Sequence, residues 1–424
     1  MEFTKYASVR KSGGDVVTLA VVGAGLRGRH YARLAEASGR GRVVAVAEPD
    51  PARRSAFSDA HALEPAQVFA SWEELGAAGR LADVAIVATQ DRMHTDPAVR
   101  LAGLGYHLLL EKPMAPTEPD ARRITDAVEA AGVIGAVCHV LRYTPYTRAL
   151  KSLIDSGRLG ELINVQHLEP VGWWHQAHSF VRGNWRNTAE SGPMLLTKSC
   201  HDLDWLAYLI GGAPHEVASF GGLTHFHPGK RPEGAADRCL DCAVESTCPY
   251  SAKRLYLNCL DDDMAEWPLP AVTPERSREA VLQALREGPY GRCVYDCDND
   301  VVDNQVVAMR YTSGLTATFT MTAFTPMQRR QTRLFGSHGS VDGDGRFLTV
   351  TDFRTGETET IDASGPEDSF GHDGGDGGLV DALLAAVTAG DPALLSSDMP
   401  ASLASHRVVW AAERARLTGT VVTI

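Results

Sequence analysis

Val16-Val17-Thr18-Leu19-Ala20-Val21-Val22-Gly23-Ala24-Gly25-Leu26-Arg27-Gly28 decides the fold, because it passes directly from an almost wholly apolar, β-prone run into a glycine-spaced turn. A strand without a polar face must be buried on both sides, as the central strands of a helix-covered parallel sheet are. Gly23 allows the tight turn, Gly25 lets backbone N–H groups approach a pyrophosphate, and Gly28 lets the helix that follows, His30 to Ala37, pack close to the strand. The N-terminus of that helix then faces the phosphates. A second strand, Arg42 to Ala47, ends at Glu48, 20 residues after Gly28, where a carboxylate can accept from ribose hydroxyls. An acid at this point repels the extra phosphate of NADP, so NAD is favoured, with Arg53 and Arg54 just beyond as moderating cations.

Toward the C-terminus the alternation continues with strand Val84 to Ala88, helix Thr95 to Leu104, strand Tyr106 to Leu110, helix Glu118 to Ala131 and strand Val133 to Cys138. This predicts a doubly wound parallel α/β domain over 16–140, after an N-terminal tail, 1–15, that lacks an apolar signal core. The chain has 424 residues, 44% hydrophobic and 22% charged, which excludes a disordered or fibrous protein and allows two or more packed units. Its formal charge of −12 argues against nucleic acid or an anionic membrane as partner, and leaves a small molecule. No apolar run approaches the roughly 20 residues of a membrane span. A cytoplasmic location is expected.

Three stretches then converge: Gly23 to Gly28; Ala88-Thr89-Gln90-Asp91-Arg92-Met93-His94; and Gly105-Tyr106-His107-Leu108-Leu109-Leu110-Glu111-Lys112-Pro113. Together they resemble the glucose-fructose oxidoreductase and inositol dehydrogenase family (Gfo/Idh/MocA), and Glu-Lys-Pro after a short strand is the most specific of the three. The resemblance runs from about Val16 into the C-terminal third. It implies a Rossmann domain followed by an α+β domain, 141–424, with a large open, mainly antiparallel sheet. It also implies cofactor contacts from Gly23, Gly25, Leu26, Arg27, Gly28, Glu48, Thr89, His94, Glu111 and Lys112. Lys112 would reach the substrate hydroxyl and the nicotinamide edge, and Pro113 would follow a cis peptide bond. A cation there lowers the pKa of a hydroxyl losing hydride and stabilises the developing alkoxide.

In the second domain, Thr197, His201 and Asp204 have the spacing of one helical face. The resemblance makes His201 the general base with Asp204 beside it, but Thr197 stands where the family usually has an aspartate. Lys198, next door, either adds a cation suited to a carboxylate or phosphate on the substrate or belongs to a solvated helix face. Trp174, His178, Arg182 and Trp185 lie in a segment whose mixture of rings and polar groups suits sugar contacts, although core packing accounts equally for the tryptophans. Arg142 and His372, the latter within Gly371 to Asp376, complete the expected substrate contacts.

Cys239, Cys242 and Cys248 fall within ten residues with C-x2-C spacing, which suits two sulfurs chelating one ion and a third closing on it. Cys293 is the preferred fourth ligand, with Cys259, Cys297, His225 and His227 as competitors. A structural zinc ion pinning an insertion over about 225–300 is the expected role, with unligated thiols or an iron-sulfur cluster as the alternatives. Sheet patterns resume at Gln305 to Met309, Ala317 to Thr322 and Gln331 to Leu334, and Ser402 to Leu417 forms a last amphipathic helix. The leading functional reading is an NAD-dependent oxidoreductase acting on a secondary alcohol of a sugar, glycoside, amino sugar or cyclitol. The alternative is an NAD-dependent glycoside hydrolase working by transient oxidation and elimination, and the third is a non-catalytic sugar- or nucleotide-binding regulator. An open sheet with an exposed face predicts a homodimer or homotetramer.

Overall fold

The computed structural model describes residues 16–261, 267–365 and 372–424; the tail 1–15 and Gly371 lie outside the described residues. Packing divides the chain into two units. The first takes the chain through Arg148 together with Leu203–Gly211 and His372–Arg407, and the second takes Ala149–Asp202, Gly212–Gly371 and Val408–Ile424. The sequence pattern placed one cut near residue 140. Of the two later segments in the first unit, His372–Arg407 is held there by Leu379, Val380, Leu383 and Leu384, which join Leu19, Val21, Val84 and Ile86 in one buried apolar cluster.

The sheet of the first unit contains β1 (Val17–Val22), β2 (Gly41–Ala47), β3 (Val68–Phe69), β4 (Val84–Val87), β5 (His107–Leu110) and β6 (Gly135–Val137). Their order is β3-β2-β1-β4-β5-β6 and every pairing is parallel. The direction of winding reverses between β1 and β4, and the crevice at their carboxyl ends is where such sheets bind ligands. Helices α1 (Leu26–Ala37), α2 (Pro51–Ala60), α3 (Trp72–Ala77), α4 (Thr95–Gly103) and α5 (Glu118–Ala131) connect the strands. Sequence sets their ends: Thr117 accepts from the Asp120 N–H at the start of α5, and Gly132 stops it at φ +62°. Leu19 and Ile86 are each 1% exposed, and burying such side chains stabilises by about 1.5–3 kcal/mol apiece. Truncating Ile86 to alanine would therefore cost about 2–5 kcal/mol.

The second unit is built on β7 (Leu162–Pro170), β8 (Glu216–Gly222), β9 (Asn304–Arg310), β10 (Thr316–Thr322), β11 (Gln331–Gly336), β12 (Gly339–Gly343), β13 (Phe347–Asp352), β14 (Thr358–Asp362) and β15 (Val422–Thr423). They form one sheet in the order β14-β13-β12-β11-β7-β10-β9-β8-β15, antiparallel except where β10 meets β7. Alternation along β9 to β11 buries Val307, Met309, Ala317, Phe319, Met321 and Leu334. Register aligns Phe220, Val306, Thr320 and Leu168 across the other face, where Phe220 is 70% exposed. Between β8 and β9, residues 223–303 carry helices Ala252–Asp261 and Arg278–Glu287 around a core that includes Tyr256, Val281 and Leu285.

Candidate active site

The glycine turn is built as its spacing requires. Gly23 has φ +92°, and a Cβ there would meet the Ala88 carbonyl oxygen at 2.6 Å; one at Gly28 would meet the Gly23 carbonyl oxygen at 2.0 Å. Around Gly25 a Cβ would find no atom within 4 Å. Gly25 is the N-cap of α1 and supplies no side-chain hydrogen bond to it, and the first turn holds no acid. Open space before uncapped helical N–H groups is what a pyrophosphate requires, so the residues present fit a dinucleotide. Leu26, Arg27 and Gly28 belong to that first turn. Glu48, 3% exposed, accepts from the Ala24 N–H at 2.8 Å and the Asp50 N–H at 2.9 Å, and Arg53 reaches it at 3.2 Å. It thus ties the glycine turn to the end of β2.

Arg27 Nε lies 2.6 Å from Glu111 Oε1, and its guanidinium also bonds Tyr31 and Asp376. The side chain of Arg27 is therefore turned toward acids of its own unit, and only its backbone is placed to meet a phosphate. Burial alone would raise the Glu111 carboxyl, but Arg27 and Lys112 beside it hold it below the usual range. The second Glu111 oxygen accepts the Lys112 N–H at 2.6 Å. Lys112 is half-buried and joined to Pro113 by a cis peptide bond. His372, expected at the substrate, sits with Nδ1 2.8 Å from Asp376 Oδ2. Burial would raise Asp376 as well, yet His372 and Arg27 keep it well below the ordinary aspartate range. His94 is fully buried and its ring bridges the Pro113 and Thr89 carbonyl oxygens at 2.8 and 3.2 Å, while the Thr89 hydroxyl donates to Met93 O at 3.1 Å.

Behind this turn stands a group that sequence reading missed or placed elsewhere. Arg142, expected to contact substrate, is 6% exposed and grips Asp204 with two donors at 2.7 and 2.6 Å. Ser405 donates to the same carboxylate at 2.8 Å, so Asp204 is a satisfied buried anion rather than a free proton acceptor. Its net shift is downward: burial opposes it, and His139 and Arg142 outweigh burial. His406 accepts the Met114 N–H on Nε2 at 3.1 Å and donates from Nδ1 to Ser402 O at 2.7 Å, which fixes its tautomer. Burial pushes it down to about 4. It thereby braces the turn after Lys112-Pro113.

In the second unit the continuous helical face expected for Thr197 and His201 is broken. Met194–Thr197 is one short helical turn, Lys198 and Ser199 form a non-helical turn, and a new helix runs Cys200–Ile210 with the buried His201 at its start. Thr197 is buried and its hydroxyl lies 3.5 Å from Pro193 O. Lys198 Nζ pairs with Glu169 at 3.0 Å, and Arg330 holds Glu169 at 3.0 Å and Asp202 at 2.5 Å. Asp202 also meets His167 Nε2 at 3.1 Å. Two cations thus face two carboxylates, and Lys198 is not an uncommitted charge for an anionic substrate. Burial would raise Asp202, but Arg330 and His167 drive it far below the normal range. Glu169, Asp202 and Arg330 are too far apart in sequence for any spacing rule to join them.

The aromatic segment separates into two groups. His178 is 2% exposed, hydrogen-bonds Tyr256 at 2.7 Å and stacks on Tyr290 at 4.9 Å; burial pushes it down to about 3. Arg182 is 1% exposed and donates to the Arg292 and Tyr250 carbonyl oxygens, each at 2.8 Å. Both are core residues beneath 223–303 rather than substrate contacts. Trp174 is half-buried beside Trp267, 5.1 Å between ring centroids, and Trp185 is 38% exposed with its ring 6.1 Å from that of Phe180. Cys239, Cys242, Cys248 and Cys293 all line one small cavity. As they stand, no group of three His, Cys, Asp or Glu among the described residues is gathered tightly enough to hold a metal ion.

Comparison with known proteins places this geometry. Residues 17–139 match the oxidoreductase family with an NAD-binding Rossmann fold, and residues 151–376 match the C-terminal alpha/beta domain of the same family. Among curated relatives, YteT of Bacillus subtilis (strain 168), which carries an oxidoreductase name, is 26% identical over 269 residues, 62% of this chain and 60% of that protein. The 2,7-anhydro-N-acetylneuraminate hydratase of Mediterraneibacter gnavus is 28% identical over 207 residues, 49% of this chain and 52% of the relative. These matches span about half to three fifths of the relatives' lengths. A levoglucosan dehydrogenase solved with NADH and levoglucosan shares the fold at TM-score 0.70 and 16% identity, over 96% of this chain and 99% of that one. The chain belongs to the Gfo/Idh/MocA oxidoreductase family.

Proposed function

We propose that this Gfo/Idh/MocA family member is an NAD-dependent oxidoreductase acting on a secondary alcohol of a sugar, glycoside, amino sugar or cyclitol. The observation that carries the reading is the glycine turn with open space at Gly25, followed at the carboxyl ends of the same sheet by Glu48 and Lys112. NAD, when bound, supplies the hydride acceptor. Gly23 to Gly28 would hold its pyrophosphate, and the buried Glu48 carboxylate disfavours the extra phosphate of NADP. Lys112 would stabilise negative charge growing on the substrate oxygen, and His201 would take the hydroxyl proton. Arg27, Glu111 and His406 would position Lys112, while Trp174 and Trp185 offer faces on which a sugar ring can stack. A cytoplasmic enzyme forming a homodimer or homotetramer through the exposed face around Phe220 and Val306 completes the reading.

The hydratase among the relatives favours a second reading, in which oxidation is transient and no net NADH appears. Purified protein, denatured to release bound nicotinamide for mass spectrometry and then assayed on a sugar and cyclitol panel, separates the two. Net NADH from a panel member supports the dehydrogenase; retained NAD with substrate conversion and no net NADH supports the redox-neutral cycle. Failure to bind NAD at all rejects both.

A further inference from the structure

His201, the proposed proton acceptor, sits between two anchors to which the oxidoreductase chemistry gives no task. Lys198, three residues before it, pairs through Nζ with Glu169 Oε1 at 3.0 Å. Asp202, directly after it, accepts from Arg330 Nε at 2.5 Å and lies 3.5 Å from Arg330 Nη2. The second Glu169 oxygen holds the same Nη2 at 3.0 Å. One planar guanidinium thus spans both carboxylates, and the ion network closes around the turn that carries His201.

The sheet supplies the platform. Alternation along β7 turns Val165, His167 and Glu169 to the buried face, and pairing with β11 sets Thr332 opposite His167 and Gln331 opposite Leu168, which leaves Arg330 beside Glu169. His167 Nδ1 meets the Thr332 hydroxyl at 2.8 Å, and its Nε2 meets Asp202 at 3.1 Å. From β10, Met321 Sδ accepts from the Ser199 hydroxyl at 3.1 Å. The adjacent strands β11, β7 and β10 therefore hold residues 198, 199 and 202, on either side of His201.

Well-packed apolar side chains would hold this helix start at least as firmly. Asp202 is fully buried and Glu169 is 4% exposed, and withdrawing such ions from water cancels much of their mutual attraction. What the network adds is direction, because charge-assisted bonds to a planar fork have a set geometry. Direction is needed here: Met194–Thr197 stops before Cys200–Ile210 begins, so no continuous helix sets where His201 points. We propose, resting on the oxidoreductase reading, that Arg330 is a positioning residue for the reaction. By gripping Asp202 and Glu169 together it fixes the start of helix Cys200–Ile210, and so the direction in which the His201 imidazole meets the hydroxyl it deprotonates.

Full-chain variants test this through urea denaturation, kcat and KM on the panel alcohol, and long-range 1H–15N spectra of the histidine rings, with the His201 signals identified by their loss in His201→Gln. Arg330→Met should displace or broaden those signals and lower kcat by about 10- to 100-fold, as a misdirected proton acceptor does, with KM moved by less than about threefold. Arg330→Lys should recover part of kcat, since an ammonium cannot span both carboxylates. Asp202→Leu combined with Arg330→Met leaves Glu169 paired with Lys198 and no unmatched charge in the network. That double variant should regain most of the urea midpoint lost in Arg330→Met, while kcat and the His201 signals stay as in the single variant. Arg346→Met, which breaks an exposed pair with Asp362 at 3.1 Å on the same sheet, should leave every reading near wild type. Recovery of kcat together with the midpoint in the double variant would overturn the positioning role, as would unmoved His201 signals in Arg330→Met. Where Arg330→Met does not fold, the double variant against wild type carries the same comparison. A wild type that converts no panel alcohol refutes the oxidoreductase reading instead, and the ring spectra then decide whether Arg330 fixes His201.

Discussion

Arg27 and Glu111 are 84 residues apart in the chain, and Arg27 Nε lies 2.6 Å from Glu111 Oε1. The glycine turn and the Glu-Lys-Pro turn are therefore one electrostatic unit rather than two adjacent motifs. Because the other Glu111 oxygen accepts the Lys112 N–H, the guanidinium in the cofactor turn fixes the backbone that carries the candidate alkoxide-stabilising lysine. Asp376 joins through the same guanidinium and through His372.

Removing that guanidinium takes from buried Glu111 its main counter-charge and from buried Asp376 its second, after His372. Arg27→Met should cost about 3–5 kcal/mol, nearer the lower figure because the Arg27 side chain is 23% exposed. Arg27→Lys should recover only part of this, since an ammonium cannot serve Glu111, Tyr31 and Asp376 from one planar fork. Urea denaturation of the three proteins measures it. Equal midpoints for Arg27→Met and wild type would refute the electrostatic account.

Two glycines five and two residues from Gly23 should respond to alanine in opposite ways. At Gly28 a Cβ would lie 2.0 Å from a backbone oxygen, so Gly28→Ala should destabilise by several kcal/mol, on the order of a severe overpacking. At Gly25, with an ordinary φ of −69° and open space, Gly25→Ala should leave the melt within about 0.5 kcal/mol of wild type. Its methyl group would occupy the place of the pyrophosphate, and NAD affinity should fall by about tenfold or more. Calorimetric titration with NAD and thermal melts read the two effects separately. Undiminished NAD affinity in Gly25→Ala would remove the turn from the binding site.

Acid should weaken the fold in two stages. His139 and His178 are held neutral down to about 3 and His406 to about 4 by burial, against an ordinary 6.5. Below pH 6.5 the unfolded chain takes up protons that the folded chain refuses, so each ring removes up to about 1.4 kcal/mol per pH unit. Glu111, Asp204 and Asp376 have folded values below their unfolded ones, so their contribution is present above the unfolded carboxylate range and is lost as pH falls through the folded values. The decline should start near pH 6.5 and steepen in the carboxylate range. Denaturation at pH 7.5, 6 and 5 follows the first stage; burial pushes His107 down to about 4 as well, so His178→Phe should flatten it by about one quarter of the slope these four rings give. A stability curve flat from pH 7.5 to 5 would contradict the burial of these rings.

What was legible in the sequence is what short-range pattern encodes. The run Val17–Val22, the glycine spacing, the acid at 48 and the helix Glu118–Ala131 each follow from neighbours within one element, and each appears in the structure. Strands Gly339–Gly343, Phe347–Asp352 and Thr358–Asp362 were missed because their residues are largely polar or glycine and pair through register, not apolar runs. Lys112 was singled out by its triplet, and the cis bond expected before Pro113 is present. The partners of Arg142, Lys198 and His178 were not legible, because Asp204, Glu169 and Tyr256 meet them only through tertiary packing. A charged or aromatic residue next to a motif therefore reads as a ligand contact until the fold supplies its internal partner.

Lys112 is the residue on which the proposed chemistry turns. It is half-buried and helps hold the neighbouring Glu111 carboxyl down, so Lys112→Ala should cost about 1 kcal/mol in urea denaturation, less than Arg27→Met does. NAD binding should change little, because the glycine turn and Glu48 are the main proposed contacts to the cofactor. Turnover on whichever panel alcohol the wild type oxidises should nevertheless fall by about 10²–10⁴, the range for losing a positioned acid–base or charge-stabilising group. The loss should appear in kcat as well as kcat/KM, since charge grows on the substrate oxygen only as the transition state forms. His406→Gln should lower kcat through the position of Lys112, by less than the alanine variant does, with the larger share of its effect on stability. An unchanged kcat in Lys112→Ala would assign oxygen charge stabilisation to another group and leave the lysine a substrate-orienting role at most.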